Sequence, residues 1–224
     1  MGCIRMREFK TIAVQGFAGS GKDTVSEYLQ QRYGFHHASY ADSLKSAISV
    51  IFGWSEELLS GKTEKSRAWR EQIDEWWSQR LDIPNLTPRW VMQHIGTDAM
   101  RNHFHPDIWI SSLERKLQYL QHDVVISDCR FANELQSVKN QNGILVRVNR
   151  GKKPKWYKMA QDELKYLKEF GYETGFESVM KACYPNVHVT EWGWIAEKFD
   201  YEIENDGTLD ELYRKIDEIM VKIQ

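Results

Sequence analysis

A chain of 224 residues with 42% hydrophobic side chains suits one domain with a proper core and room for a helical excursion. Its formal net charge of −2 and a pI near 6.4 give no hint of a nucleic-acid or membrane surface, and no apolar run approaches the ~20 residues that span a bilayer. The three cysteines, Cys3, Cys129 and Cys183, are odd in number and far apart, which argues against disulfides or a zinc cluster and for free thiols in a reducing compartment.

The opening residues Met1 to Arg7 hold no apolar leader, and Met6 stands where a myristoylation signal expects Ser or Thr, so a cytoplasmic protein is expected. A first strand is predicted from Thr11 to Gln15 and a helix from Lys22 to Tyr33, stopped by Gly34. Between them lies Gly16-Phe17-Ala18-Gly19-Ser20-Gly21-Lys22-Asp23-Thr24. Strand, glycine-rich turn, lysine and helix are the parts of a phosphate-binding loop. The first turn of a helix has unpaired N–H groups at its positive end, and glycines let the backbone bend around an anion. Lys22 adds a charge able to reach β- and γ-phosphates. Gly16, Ala18, Gly19, Ser20, Gly21, Lys22, Asp23 and Thr24 are therefore the nucleotide-binding candidates. Asp23 occupies the place where Ser or Thr usually follows the lysine, and the hydroxyl comes one later, at Thr24; either is a hard oxygen ligand for magnesium. The plain alternative is a glycine-rich turn with no ligand.

A short strand is expected within Phe35 to Ser39, then a helix from Asp42 to Phe52 ending at Gly53. A charged, tryptophan-rich stretch runs from Trp54 to Arg80 and reads as helical after Lys62, with Pro84 and Pro88 as punctuation. One helix is predicted from about Pro88 to His103 and another from about Asp107 to Leu120. The spacing of Arg89, Gln93 and Arg101 puts them near one face of the first of these, where they could hold a phosphate monoester; by periodicity alone a solvated face is the simpler reading. Trp54, Trp69, Trp76, Trp77, Trp90 and Trp109 read mainly as packing, with a stacked base as the rarer use.

Asp123 to Asp128 is an apolar run ending in an acid, a buried parallel strand. Asp128 at its C-terminal end is placed to hold magnesium or take a proton, or else to cap the next helix. Arg130 reads either as a cation for a moving phosphoryl group or as a surface ion pair. Cys129 beside them reads as a small buried filler. A helix through Glu134 and Val138 and a strand from Ile144 to Val148 follow. A polar insertion then runs over about residues 151–186, with a helix near Met159 to Phe170 and a basic start at Lys152 that is either a solvated loop or part of a lid. The chain closes with a short segment at Val187 to Val189, a helix near Glu191 to Glu197, a strand at Tyr201 to Ile203, a turn at Asn205 to Gly207, and a last helix opened by a capping box at Thr208. Strands alternating with helices predict a parallel sheet covered on both faces.

Four blocks resemble the deoxynucleoside monophosphate kinases of tailed bacteriophages, within the nucleoside-monophosphate kinase group. They are Gly19 to Thr24, Tyr40 to Lys45, Gln93 to Asp98 with Arg101 and Asp107 to Trp109, and Ile126 to Glu134; Glu204 to Leu209 is also similar. The resemblance implies an α/β fold, a P-loop three-layer sandwich with a central parallel sheet of about five strands. It implies one kinase domain over residues 1–224, with a substrate-binding excursion at about 54–120 and a lid-like insertion at about 151–186. It further implies ATP and Mg2+, and phosphorylation of a deoxynucleoside 5′-monophosphate to the diphosphate. In that picture Lys22, Arg130 and Asp128 are catalytic, and Asp23, Thr24 and Asp128 lie around the metal. Asp42, Lys45, Arg89, Gln93, Asp98, Arg101 and Trp109 hold the acceptor. No nucleic-acid or membrane partner is expected, the compartment is the cytoplasm of a host cell, and such families often pair as homodimers, although these residues display no interface. Two alternatives stand beside this reading: a kinase of another small phosphorylated metabolite such as dephosphocoenzyme A, and a nucleotide-binding switch without an acceptor.

Overall fold

The computed structural model describes residues 9–171 and 178–223. Cys3, the opening heptapeptide and part of the 151–186 insertion lie outside the described residues. The chain forms two compact units: residues 1–39 with 121–224, and residues 40–120.

The first unit is built on five parallel strands: β1 (Thr11–Gln15), β2 (His36–Ala38), β3 (Val124–Ile126), β4 (Ile144–Asn149) and β5 (Tyr201–Glu204), in the order β2-β3-β1-β4-β5. The central strand β1 pairs Ala13 with Ile126 on one side and with Leu145 on the other. This is the expected α/β class with its five-stranded parallel sheet. Because side chains alternate along a strand, Ile12 and Val14 of β1, Val146 and Val148 of β4, and Ile203 of β5 enter one core. The helix Lys22–Tyr33 adds Val25 and Leu29 to it, and the helix Leu209–Ile223 adds Leu212, Ile216, Ile219 and Met220 at helical spacing. The helix Ala132–Asn140 packs against β1 and β4, burying Leu135 and Val138. Asp217 on the last helix accepts hydrogen bonds from Tyr28 (2.9 Å) and Tyr33 (2.7 Å) on the first. Burial, then the Asp217 carboxylate, push the Tyr33 phenol up to about 12. The foreseen capping box opens the last helix: Thr208 Oγ1 accepts from Glu211 N, and Glu211 Oε2 from Thr208 N.

The second unit holds the helices Asp42–Phe52, Glu56–Ser60, Glu64–Trp69, Glu75–Leu81, Pro88–Gln93 and Ile108–Leu117, with a π-helix at His94–Phe104. Its tryptophans knit the short helices together. Trp54 Nε1 donates to Asp74 Oδ2 (2.8 Å), Trp77 Nε1 donates to Phe52 O (3.1 Å), and Phe52 stacks on Trp54.

Three expectations need correction. The helix expected from Pro88 to His103 is α-helical only to Gln93; beyond it the turns widen to i→i+5 bonding. Gly96 allows this segment to approach Leu44, whose Cδ2 would lie 2.7 Å from a Cβ at that position, and the Gly96 carbonyl accepts from Trp109 Nε1 (2.9 Å). The helix expected near Glu191 to Glu197 is instead a 3-10 turn at Val189–Glu191 followed by turns. Trp192, Gly193, Trp194 and Ile195 are all buried there, so no polar helical face exists. A helix at Glu56–Ser60 also precedes Lys62, where helix was first expected.

Candidate active site

The residues at positions 16–21 bridge the C-terminal end of β1 and the helix Lys22–Tyr33. Gly16 is buried at the turn. A Cβ there would sit 2.4 Å from both Ser20 Oγ and Val148 O, so no other residue fits without displacing backbone. Gly19 and Gly21 have φ of 77° and 98°, a region that side-chain-bearing residues avoid. The turn closes on Ser20 N donating to Phe17 O (3.0 Å), and the helix starts with Val25 N donating to Gly21 O (3.0 Å). Space around Gly19 is open to 4 Å. Two buried polar atoms at the loop, Gln15 Nε2 and Ser20 Oγ, have no hydrogen-bond partner among the described residues. Lys22 sits on the first helical turn, 13% exposed, with Nζ 3.5 Å from the Asp23 carboxylate. Ala18 is exposed at the loop tip and Thr24 is half-buried.

Phe17 of the same loop packs into an aromatic cluster. Its ring meets Trp194 (5.1 Å), Trp156 (5.7 Å) and Tyr157 (6.0 Å). Beneath them lies Arg147 of β4, only 5% exposed, with its guanidinium over the rings of Trp194, Tyr157 and Phe199 and donating to Tyr157 Oη (2.9 Å). This support was not foreseen. An arginine in the middle of an apolar strand run was its one signal in the sequence.

Asp128 lies just past the end of β3, half-buried, and accepts from Ser39 Oγ at 2.6 Å. The same pair of strand ends is joined by His37 Nε2 and Ser127 Oγ (3.1 Å). The next helix begins at Ala132 with Phe131 as its N-cap. The buried Glu134 carboxylate accepts the backbone N–H groups of Arg130 and Phe131. Arg130 is 40% exposed, with its guanidinium 3.9 Å from Glu191. Cys129 between them is fully buried. Burial, then the Glu134 and Asp128 carboxylates, push its thiol well above the usual range, so it stays a neutral filler.

In the second unit, Asp42 and Lys45 lie on the first turn of the helix Asp42–Phe52, both half-buried. Arg89 and Gln93 share a turn of the helix Pro88–Gln93. The π-helix lies between Gln93 and Arg101, so α-helical spacing does not relate those two. Arg89 Nε bonds Glu71, and Arg101 Nη1 donates to Pro106 O (3.3 Å). Asp98 accepts from or pairs with His94 Nδ1 (3.0 Å), and His94 stacks on Trp90. Trp109 is 8% exposed with its indole N–H committed to Gly96 O.

Among the described residues no three His, Cys, Asp or Glu side chains converge on a metal position.

The sequence profile of the deoxynucleotide monophosphate kinase family matches residues 59–163. A protein of Acanthamoeba polyphaga mimivirus, provisionally named a deoxynucleotide monophosphate kinase, is 33% identical over 153 residues, covering 62% of this chain and 73% of that protein. The chain belongs to the deoxynucleotide monophosphate kinase family. Two further relatives carry related names. The deoxynucleotide monophosphate kinase of Escherichia phage RB69 is 28% identical, over 63% of this chain and 49% of its own length. The deoxynucleoside-5′-monophosphate kinase of Escherichia phage T5 is 25% identical, over 58% of this chain and 72% of its own. Membership of this kinase family implies ATP use and typically Mg2+. Among the described residues no helix is long and apolar enough to cross a membrane.

Proposed function

We propose that this chain transfers the γ-phosphoryl group of ATP to the 5′-phosphate of a deoxynucleoside monophosphate, yielding the diphosphate and ADP. The observation that carries the donor half is the cradle at residues 16–22, with its open Gly19, its positive-φ Gly19 and Gly21, and Lys22 on the first turn. The acceptor half rests on the names of the relatives, which specify deoxynucleotides rather than dephosphocoenzyme A.

The loop amides and Lys22 bind the β- and γ-phosphates of the donor. Asp23, Thr24 and Asp128 would hold magnesium, which when bound neutralises charge on the same oxygens. Ser39 orients the Asp128 carboxylate by donating to it. Arg130 offsets charge on the moving group, its backbone held by Glu134. In the second unit, Arg89 and Arg101 take the acceptor phosphate, Asp42, Lys45, Gln93 and Asp98 orient the nucleoside, and Trp109 acts through the π-helix it supports. No strong base is needed, because a monophosphate oxygen is already anionic at neutral pH. The 151–186 insertion acts as a lid that excludes water and limits idle hydrolysis.

The test is a coupled assay of ADP release against each deoxy- and ribonucleoside monophosphate and against dephosphocoenzyme A. Turnover stimulated by at least one deoxynucleoside monophosphate is expected. Stimulation by dephosphocoenzyme A alone, or slow ATP hydrolysis indifferent to every acceptor, refutes the proposal.

A further inference from the structure

We infer that Asn205 is a positioning residue for the donor's β-phosphate, acting through the peptide between Ser20 and Gly21; the inference rests on the nucleotide-kinase reading above. Asn205 directly follows β5 and is 8% exposed. Its backbone N–H continues the β4–β5 ladder by donating to Asn149 O (2.8 Å). Its side chain leaves the sheet and donates from Nδ2 to Ser20 O at 2.8 Å, a buried bond across 185 residues of sequence.

That bond fixes the orientation of one peptide plane. In a planar trans peptide the C=O and the following N–H point in opposite directions. With Ser20 C=O held toward Asn205, the Gly21 N–H is turned away from Asn205. In a loop that reads as a phosphate cradle, that is the side left for an anion. Gly21 is shaped for the same arrangement. Its φ is 98°, and a Cβ on it would meet Asn205 Nδ2 at 2.4 Å. Asn205 and Gly21 are therefore a matched pair: the glycine lets the peptide face this way, and the amide keeps it there. Without the bond the Ser20 carbonyl is a buried acceptor with a missing partner, and a peptide flip that sends it to the anion side becomes competitive. Such a flip would put a carbonyl dipole against phosphate.

The neighbouring residue extends the grip. Asp206 Oδ1 accepts from Gly151 N (2.7 Å) at the start of the 151–186 insertion. One strand end thus holds both the cradle and the root of the insertion.

The experiment compares Asn205→Ala with wild type by calorimetric titration of ADP, calorimetric titration of a deoxynucleoside monophosphate that the wild type binds, and thermal melting. A loss of about tenfold or more in ADP affinity, with monophosphate affinity within about twofold and cooperative melting retained, is expected. Unchanged ADP affinity, or equal loss for both ligands, overturns the inference. If the alanine variant does not fold, Asn205→Leu keeps the volume without the donor and must give the same selective loss. Should neither variant fold, Asn205 is a structural residue and the inference is overturned. A wild-type protein that binds no ADP defeats the kinase reading instead, so the two failures are distinguishable.

Discussion

Lys22 is held close to the surface of the loop, and the carboxylate it pairs with there is that of the 74%-exposed Asp23. Exposed pairs of this kind are worth about 0–1 kcal/mol, so the lysine is not there for stability. Lys22→Ala should leave the melting temperature almost unchanged while lowering phosphoryl transfer by about 10²–10³-fold, the usual cost of one charge-stabilising donor. Wild-type turnover in that variant would remove Lys22 from the mechanism. Gly21 is the opposite case, where backbone conformation dominates. An alanine at φ 98° costs about 1–2 kcal/mol before any clash, and the contact with Asn205 adds to it. Gly21→Ala should therefore lower both melting temperature and ADP affinity; a variant as stable as wild type would show that the loop relaxes freely. The glycines and the lysine were legible in the sequence because a local spacing encodes them. Ser39 with Asp128, and Asn205 with Ser20, were not, because partners 89 and 185 residues apart leave no periodic trace.

At the level of elements, the strand Thr11–Gln15 and the helix Asp42–Phe52 were foreseen nearly to the residue, the strand because it is a short apolar run buried on both faces and the helix because Leu44 and Ile48 repeat at helical spacing before Gly53 stops it. The π-helix was invisible because its contacts are tertiary, Gly96 against Leu44 and the Trp109 indole on the Gly96 carbonyl, and leave no local propensity to read. The buried run from Trp192 to Ile195 failed as a helix for the same reason: its burial follows the aromatic cluster around Phe17, not a helical stripe. One element junction makes a pH prediction. Asp200, just before β5, experiences burial that raises its pKa. The Leu145 N–H (2.8 Å) and Lys139 Nζ (2.6 Å) together outweigh this and lower it. A carboxylate depressed on folding contributes stability above its unfolded value near ~3.9, and the contribution is lost as pH falls through the folded value. The stability difference between wild type and Asp200→Asn should thus be present at neutral pH and shrink below about pH 4. A difference that stays constant down to pH 2 contradicts the assignment.

For the molecule as a whole, the division into a sheet-based unit and the unit Tyr40–Leu120 separates the two halves of the proposed chemistry by composition. Glycines, Lys22 and Asp128 belong to the first; Arg89, Gln93 and Arg101 belong to the second. In the sequence the proposed first half is read from chemistry, since a phosphate cradle needs those residues in that order. The proposed second half is read only from resemblance, since arginines on a short helix look the same whether they bind phosphate or water. The measurement that bears most directly on the central claim is product identification with γ-labelled ATP and a deoxynucleoside monophosphate. The label should appear in the deoxynucleoside diphosphate, in amounts equal to the ADP formed. Label recovered only as inorganic phosphate would contradict the claim.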